Sequence, residues 1–224
     1  MTHVRLTVRG LAVAAVMLVL PGLSVAAAVQ GDGTTARKRE LPGPVKIEIE
    51  QQPDGFTINQ KLRISAATQS GHDAGLRMIE QESYDPGIAA LRRVTEQLPE
   101  AAAAYINLGI AQARNGELDQ AEASLMKALE LSPRHPVAYN ELGLVQRRKG
   151  EFPAARRSYE SALGVFPGFH YAHRNLGVLC DLYLGDTGCA LRHYEAYMQA
   201  VPGDDEVGKW VAELRSRTQK GVSP

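Results

Sequence analysis

INLGIAQARNGELDQA, residues 106–121, reads as two helices around the Asn115-Gly116 turn, with Gly109 in the middle of the first. Glycine inside a helix costs roughly 1 kcal/mol relative to alanine, so something at that position must require it. Thirty-four residues later the pattern returns as NELGLVQRRKGEFPAA (140–155), with Gly143 in the same place, and again as RNLGVLCDLYLGDTGCA (174–190), with Gly177. A helix-turn-helix unit repeated at this period stacks its copies around one continuous core.

Other positions keep the same register. Pro99, Pro133 and Pro167 are spaced by 34, with Pro202 one residue later than the period; Leu91, Leu125, Tyr159 and Tyr194 follow the same spacing. Tyr105 and Tyr139 correspond, and His173 stands where a third aromatic residue would fall. Ala121 and Ala155 come twelve residues after their glycines, but Ala190 comes thirteen after Gly177, so the last unit carries one extra residue near its turn. Ala74-Gly75 begins a degenerate first unit, in which Asp85-Pro86 offers N-cap and N1 chemistry for the second helix. After Pro202, Val207, Trp210, Val211 and Leu214 fit one face of a further helix, whose charged remainder suits the end of a stack.

These columns resemble the tetratricopeptide repeat, a 34-residue helix-turn-helix unit with aromatic, Leu-Gly, small-residue and terminal-proline positions. The resemblance covers residues 68–203. It implies an all-α solenoid of four units, closed by a capping helix at 204–218 and a tail at 219–224. The glycines Gly109, Gly143 and Gly177 are expected where the two helices of a unit meet, opposite Ala121, Ala155 and Ala190, keeping the axes within the usual 8–10 Å or so. On that reading Gly143→Leu overpacks against Ala155, while Gly143→Ala is close to neutral.

The N-terminus has a different character. MTHVRLTVRG is basic, LAVAAVMLVL apolar, Pro21-Gly22 breaks the run, and SVAAA (24–28) supplies small residues for cleavage after Ala26 or Ala28. Residues 1–28 therefore read as a signal peptide for export, to the periplasm in a Gram-negative cell. An uncleaved inner-membrane anchor facing the periplasm is the competing reading, since 11–29 is nearly long enough to span a bilayer. Residues 29–67 read as a linker: 29–44 is rich in Gly, Pro and charge, whereas VKIEIE, QPDG and FTINQKLRI suggest a small β-hairpin over 45–64 with Val45, Ile47 and Ile49 on one face.

Composition narrows the function. Across 224 residues, Lys+Arg and Asp+Glu are both 25. With no basic run or basic-aromatic stripe, the phosphate-contact contribution that nucleic-acid binding needs is missing. No phosphate loop, GxSxG, HExxH or CxxC is present, so neither catalytic residues nor a cofactor are expected. His173, Cys180, Cys189 and His193 all fall in the fourth unit, and Cys189 and His193 have helical i, i+4 spacing. Without short paired spacing, metal binding is the weaker reading of this group. A disulfide between Cys180 and Cys189 suits an exported chain with only two cysteines, with a pair of buried thiols as the alternative. His72 and His170 read as surface residues.

The resemblance places function on the concave face lined by each unit's first helix, where a peptide segment or partner helix binds. The groove positions fall on Ile106, Ile110 and Arg114, then Asn140, Leu144 and Arg147, then Tyr171, Arg174 and Val178. The apolar members offer burial, and Arg147 and Arg174 offer bidentate contact to a carboxylate. The clamp that some family members use for chaperone C-termini is not carried over, because Ile106, Ile110 and Glu141 replace its Lys and Asn residues. The longer run from His135 to Leu214 is similar to short exported proteins of this family described with TonB-type systems beside ExbB/ExbD-like transducers. That similarity implies an envelope adaptor. Assembly of a secretion or pilus complex through the same groove, and a His/Cys metal carrier, are the alternatives.

Overall fold

The computed structural model describes residues 64–220 continuously and, before them, four strands. The chain divides into two compact units, Met1–Ser65 and Ala66–Pro224. In the first, β1 (Thr2–Thr7), β2 (Met17–Val19), β3 (Ile47–Gln52) and β4 (Gly55–Leu62) form a sheet in the order β2-β1-β4-β3, each neighbouring pair antiparallel. β3 and β4 run in register from Ile47 opposite Gln60 to Gln52 opposite Gly55. β1 and β2 fall inside the stretch read as an export signal. The apolar residues between them, the cleavage zone at 24–28, the linker at 29–44 and the tail at 221–224 lie outside the described residues.

The second unit is a helical solenoid. Its hairpins are α1 (Ala66–Glu80) with α2 (Tyr84–Gln97), α3 (Ala102–Arg114) with α4 (Leu118–Leu131), α5 (Pro136–Arg148) with α6 (Phe152–Val165), and α7 (His170–Leu179) with α8 (Thr187–Ala200). α9 (Asp205–Lys220) closes the end. Each second helix also packs on the next first helix, and α1–α3, α3–α5 and α5–α7 touch as well. Successive first helices therefore lie close together and line the inner face. The core runs through Leu91, Leu125, Tyr159 and Tyr194, all essentially unexposed. α9 adds Val207, Val211 and Leu214, all buried, and lays Trp210 against Tyr194 at a 5.5 Å centroid distance. Asp204 anchors its start: one carboxylate oxygen accepts the backbone N–H groups of Glu206 and Val207, and the other accepts the Tyr197 hydroxyl at 2.7 Å.

The turns inside the units share one closure. After α3, Gly116 N–H bonds the carbonyl of Ala113 and Glu117 N–H that of Gln112; after α5, Gly150 bonds Arg147 and Glu151 bonds Gln146. Gly116 and Gly150 take φ of 86° and 80°, as this left-handed cap requires. After α1 the same bonds form from Glu82 and Ser83, so Glu82 holds φ 59° with a side chain. An L-residue pays roughly 1–2 kcal/mol for that conformation, and glycine returns part of the gain through its freer unfolded chain. Glu82→Gly is therefore expected to raise stability by about 0.5–1 kcal/mol, read as a higher urea midpoint at constant slope. An unchanged midpoint contradicts this account of the turn. α2 starts at Tyr84, so Asp85 lies in its first turn rather than at its cap. Asp85 instead accepts a hydrogen bond from the Asn115 amide, 3.0 Å away in the next unit's turn.

The extra residue of the fourth unit is absorbed by one π-helical turn, Cys180–Leu184, which continues α7. It ends at left-handed Gly185, and Asp186 N–H bonds the Cys180 carbonyl at 2.9 Å.

The repeat glycines do sit at helix contacts, but their main neighbours are not the alanines. A Cβ on Gly109 would meet Leu125 Cγ at 2.7 Å, with the Ala121 carbonyl oxygen at 3.2 Å; on Gly143 it would meet the Tyr159 ring at 2.6 Å, and on Gly177 the Tyr194 ring at 2.5 Å. Ala155 and Ala190 are buried but are not among the nearest atoms. The offset has a simple cause: a helical side chain covers the turn N-terminal to its own Cα, so residue 125 fills the space level with residue 121. Gly143→Ala is therefore not neutral, because its methyl would overlap the Tyr159 ring.

Candidate protein-binding face

The nine proposed groove residues divide into two sets. Ile106 and Asn140 are buried, Ile106 completely. Asn140 faces the neighbouring first helix, accepting a hydrogen bond from the Asn175 amide of α7 at 2.9 Å and donating to Glu141 at 3.0 Å. One period before Ile106, His72 makes a comparable contact at 2.9 Å with Asn107 of α3. This column is a seam between units, so Ile106 and Asn140 are not on the open face. His72 is likewise buried rather than superficial, and desolvation lowers its pKa. Lateral packing between units is not visible in the periodicity of any one helix, so the periodicity marks this column as outward-facing.

Ile110, Arg114, Leu144, Arg147, Tyr171, Arg174 and Val178 remain half-buried along the first helices. Their arginines are partly committed. Arg174 lies over Trp210, 5.2 Å from the ring centroid, with Glu206 at 3.9 Å, and Arg147 lies 5.8 Å from the centroid of Tyr183. Stacking on a ring fixes a guanidinium plane while leaving its edge N–H groups able to bind a carboxylate. Glu141 belongs to the same stretch: withdrawal from solvent pushes its carboxyl up to about 7, against the opposing pulls of the Asn140 amide and the Arg114 charge. In the sequence Glu141 stands out only as a departure from the chaperone clamp. Its placement beside Arg114 depends on the pairing of α3 with α5.

The His/Cys group resolves into structural parts. Cys180 and Cys189 form a disulfide with Cα atoms 5.8 Å apart. His173 Nε2 lies 2.9 Å from the Pro167 carbonyl, as the Tyr139 hydroxyl lies 3.2 Å from that of Pro133, so the histidine fills the aromatic column's role. Its Nδ1 is 3.0 Å from His193 Nδ1. With Nε2 donating to the carbonyl, His173 Nδ1 accepts and His193 donates. His170 is half-buried among Phe169, Tyr171 and Tyr197. Among the described residues, no three metal-ligating side chains converge and no helix is long and apolar enough to cross a membrane.

Stacked hairpins, a capped end and a face of aliphatic and guanidinium groups define a helical-repeat protein that works by contact. Residues 100–168 and 140–205 each match the tetratricopeptide repeat family, so the solenoid is built of tetratricopeptide repeats. Solved structures agree at the level of fold. A MamA protein is 22% identical with a TM-score of 0.59, over 68% of this chain and 83% of that one. Pseudomonas aeruginosa pilF is 19% identical with a TM-score of 0.63, over 69% and 70%. The first repeat domain of Spaghetti (RPAP3), bound to the HSP90 peptide SRMEEVD, is 18% identical with a TM-score of 0.50, over 53% and 93%. No curated protein matches the chain in sequence.

Proposed function

We propose that the chain is an exported, periplasmic adaptor that holds a peptide segment or partner helix on its inner face, in an envelope complex of the TonB type. The observation that carries the reading is the row of half-buried Ile110, Leu144 and Val178 beside ring-stacked Arg147 and Arg174. Each large aliphatic side chain covered by a partner contributes about 1.5–3 kcal/mol, and oriented guanidiniums add selectivity for a carboxylate. The RPAP3 domain supports the mode of action, since the same fold holds a peptide there. Export is supported by the sequence at 1–28 and by a buried disulfide, which suits an oxidising compartment. The TonB-type partner rests on sequence resemblance.

Arg147→Glu with Arg174→Glu is expected to abolish capture of the natural partner from envelope extract, as identified by mass spectrometry, while circular dichroism is unchanged. Undiminished capture by a folded double variant removes the inner face from the binding surface.

A further inference from the structure

The fourth unit's turn departs from its siblings. Where α3 ends on Arg114-Asn115 and α5 on Arg147, Arg148 and Lys149, the π-helical turn presents Leu182, Tyr183 and Leu184, which are 69%, 46% and 37% exposed. Met126 is the only other large apolar side chain so exposed among the described residues. The protrusion is also held in place from several sides. The disulfide from Cys180 to Cys189 brackets it, Gly185 closes it in a left-handed cap, Asp186 accepts the Cys189 N–H at 2.9 Å, and Tyr183 packs on Phe152 at 4.8 Å between centroids. Exposed aliphatic and aromatic groups fixed before contact lose little entropy on binding.

The charges around it are uneven. Lys149 is neutralised by Asp119, Glu122 and Glu151, Arg156 by Glu160, and Arg217 by Asp181. Arg147 leans on Tyr183 and, among the described residues, has no carboxylate within ion-pair distance; Arg148 turns the other way, donating to the Ala113 carbonyl of the preceding unit. Arg147 therefore leaves one positive charge at the edge toward α5, while Asp181 and Asp186 flank the turn itself.

We propose that Leu182–Tyr183–Leu184 extends the inner face beyond Arg147, as a docking point for a protein segment whose aliphatic side chains are interspersed with Asp or Glu; the inference rests on the inner face being the binding surface. Its aliphatic groups cover the leucines, and a carboxylate meets Arg147 beside Tyr183. A peptide can place its acids on the α5 side alone. An anionic bilayer surface cannot avoid Asp181 and Asp186, and is the poorer fit.

The test uses the full chain and a phage-displayed random dodecapeptide library. Selected peptides are remade and their affinities measured by fluorescence anisotropy. Expected are sequences rich in Leu, Ile or Phe with Asp or Glu. Their affinity should fall at least tenfold on Leu182→Ser with Leu184→Ser, and severalfold on Arg147→Glu, but stay unchanged on Arg174→Glu. Because both leucines are exposed, the double variant should keep its circular dichroism spectrum, which separates lost docking from lost folding. Insensitivity to Arg174→Glu separates this docking point from the α7 part of the inner face, and natural-partner capture by Arg174→Glu alone, with the leucines intact, tests the inner face by itself, so either reading can fail alone. The proposal is overturned by selected peptides that bind the leucine variant equally, by peptides without acids, by a selection that enriches nothing, or by phosphatidylglycerol vesicles that bind through the same leucines in place of peptide.

Discussion

Gly143→Leu is expected to destabilise the protein by about 3 kcal/mol or more, and Gly143→Ala by about 1–2 kcal/mol. The alanine methyl would stand 2.6, 2.7 and 3.0 Å from Cε1, Cδ1 and Cζ of Tyr159, whose side chain has no exposed surface into which to retreat. Improved helix propensity recovers roughly 1 kcal/mol of the overpacking. Leucine meets the same ring with three further carbons. Gly164 is the control: it lies in α6, is exposed and has nothing within 4 Å of an added Cβ. Gly164→Ala should therefore stabilise by about 0.5–1 kcal/mol. Urea midpoints at constant slope compare the three variants. If Gly143→Ala raises the midpoint as Gly164→Ala does, steric exclusion is not what the repeat glycines record.

The same glycines show what the sequence can and cannot carry. Their period of 34, and the columns of Leu91, Leu125, Tyr159 and Tyr194, are local patterns and were legible. So was the residue inserted before Ala190, although not its form as a π-helical turn. Which side chain faces each glycine was misread, because the alanine twelve residues on is level with the glycine while the bulk that fills the gap is rooted one turn later. The inner face was misread in part for a related reason. A helical wheel marks Ile106 and Asn140 as outward from their own unit, but the next first helix packs there, and the Asn140–Asn175 bond exists only once units stack. Another column passed unnoticed. Gln112 and Gln146 are spaced by 34, as are Ser124 and Ser158; the Ser124 hydroxyl donates to Gln112 and the Ser158 hydroxyl to Gln146, each a buried bond of 2.7 Å joining the helices of its unit. A partner's identity has no such signature, because it resides in the partner's residues.

That unnoticed column bears on the second large effect, loss of the disulfide. Cys180 stands one period after Gln146, so the fourth unit replaces a buried Gln–Ser hydrogen bond between its helices with a covalent link to Cys189. Both sulfurs belong to fully buried residues within a core of Leu176, Leu179, Ala190, Tyr194 and Val207. Their Cα separation of 5.8 Å lies in the ordinary range for a bridge. A loop of about ten residues restricts the unfolded chain by roughly 2.5–3 kcal/mol on the entropic view. A net hydrogen bond contributes only about 1 kcal/mol, so the exchange favours the unit that carries an interrupted helix and lies last before the cap. Cys180→Ala with Cys189→Ala should therefore cost about 2.5–3 kcal/mol plus the loss of two packed sulfurs, lowering Tm by roughly 5–12 °C. In a solenoid each unit contacts only its neighbours, so the loss should be local. Amides of α7, α8 and α9 should exchange faster by native-state hydrogen exchange, while those of α3 and α4 keep their protection. Uniform acceleration along the whole unit, or none in α7 to α9, would show that the bridge does not act as the fourth hairpin's cross-link.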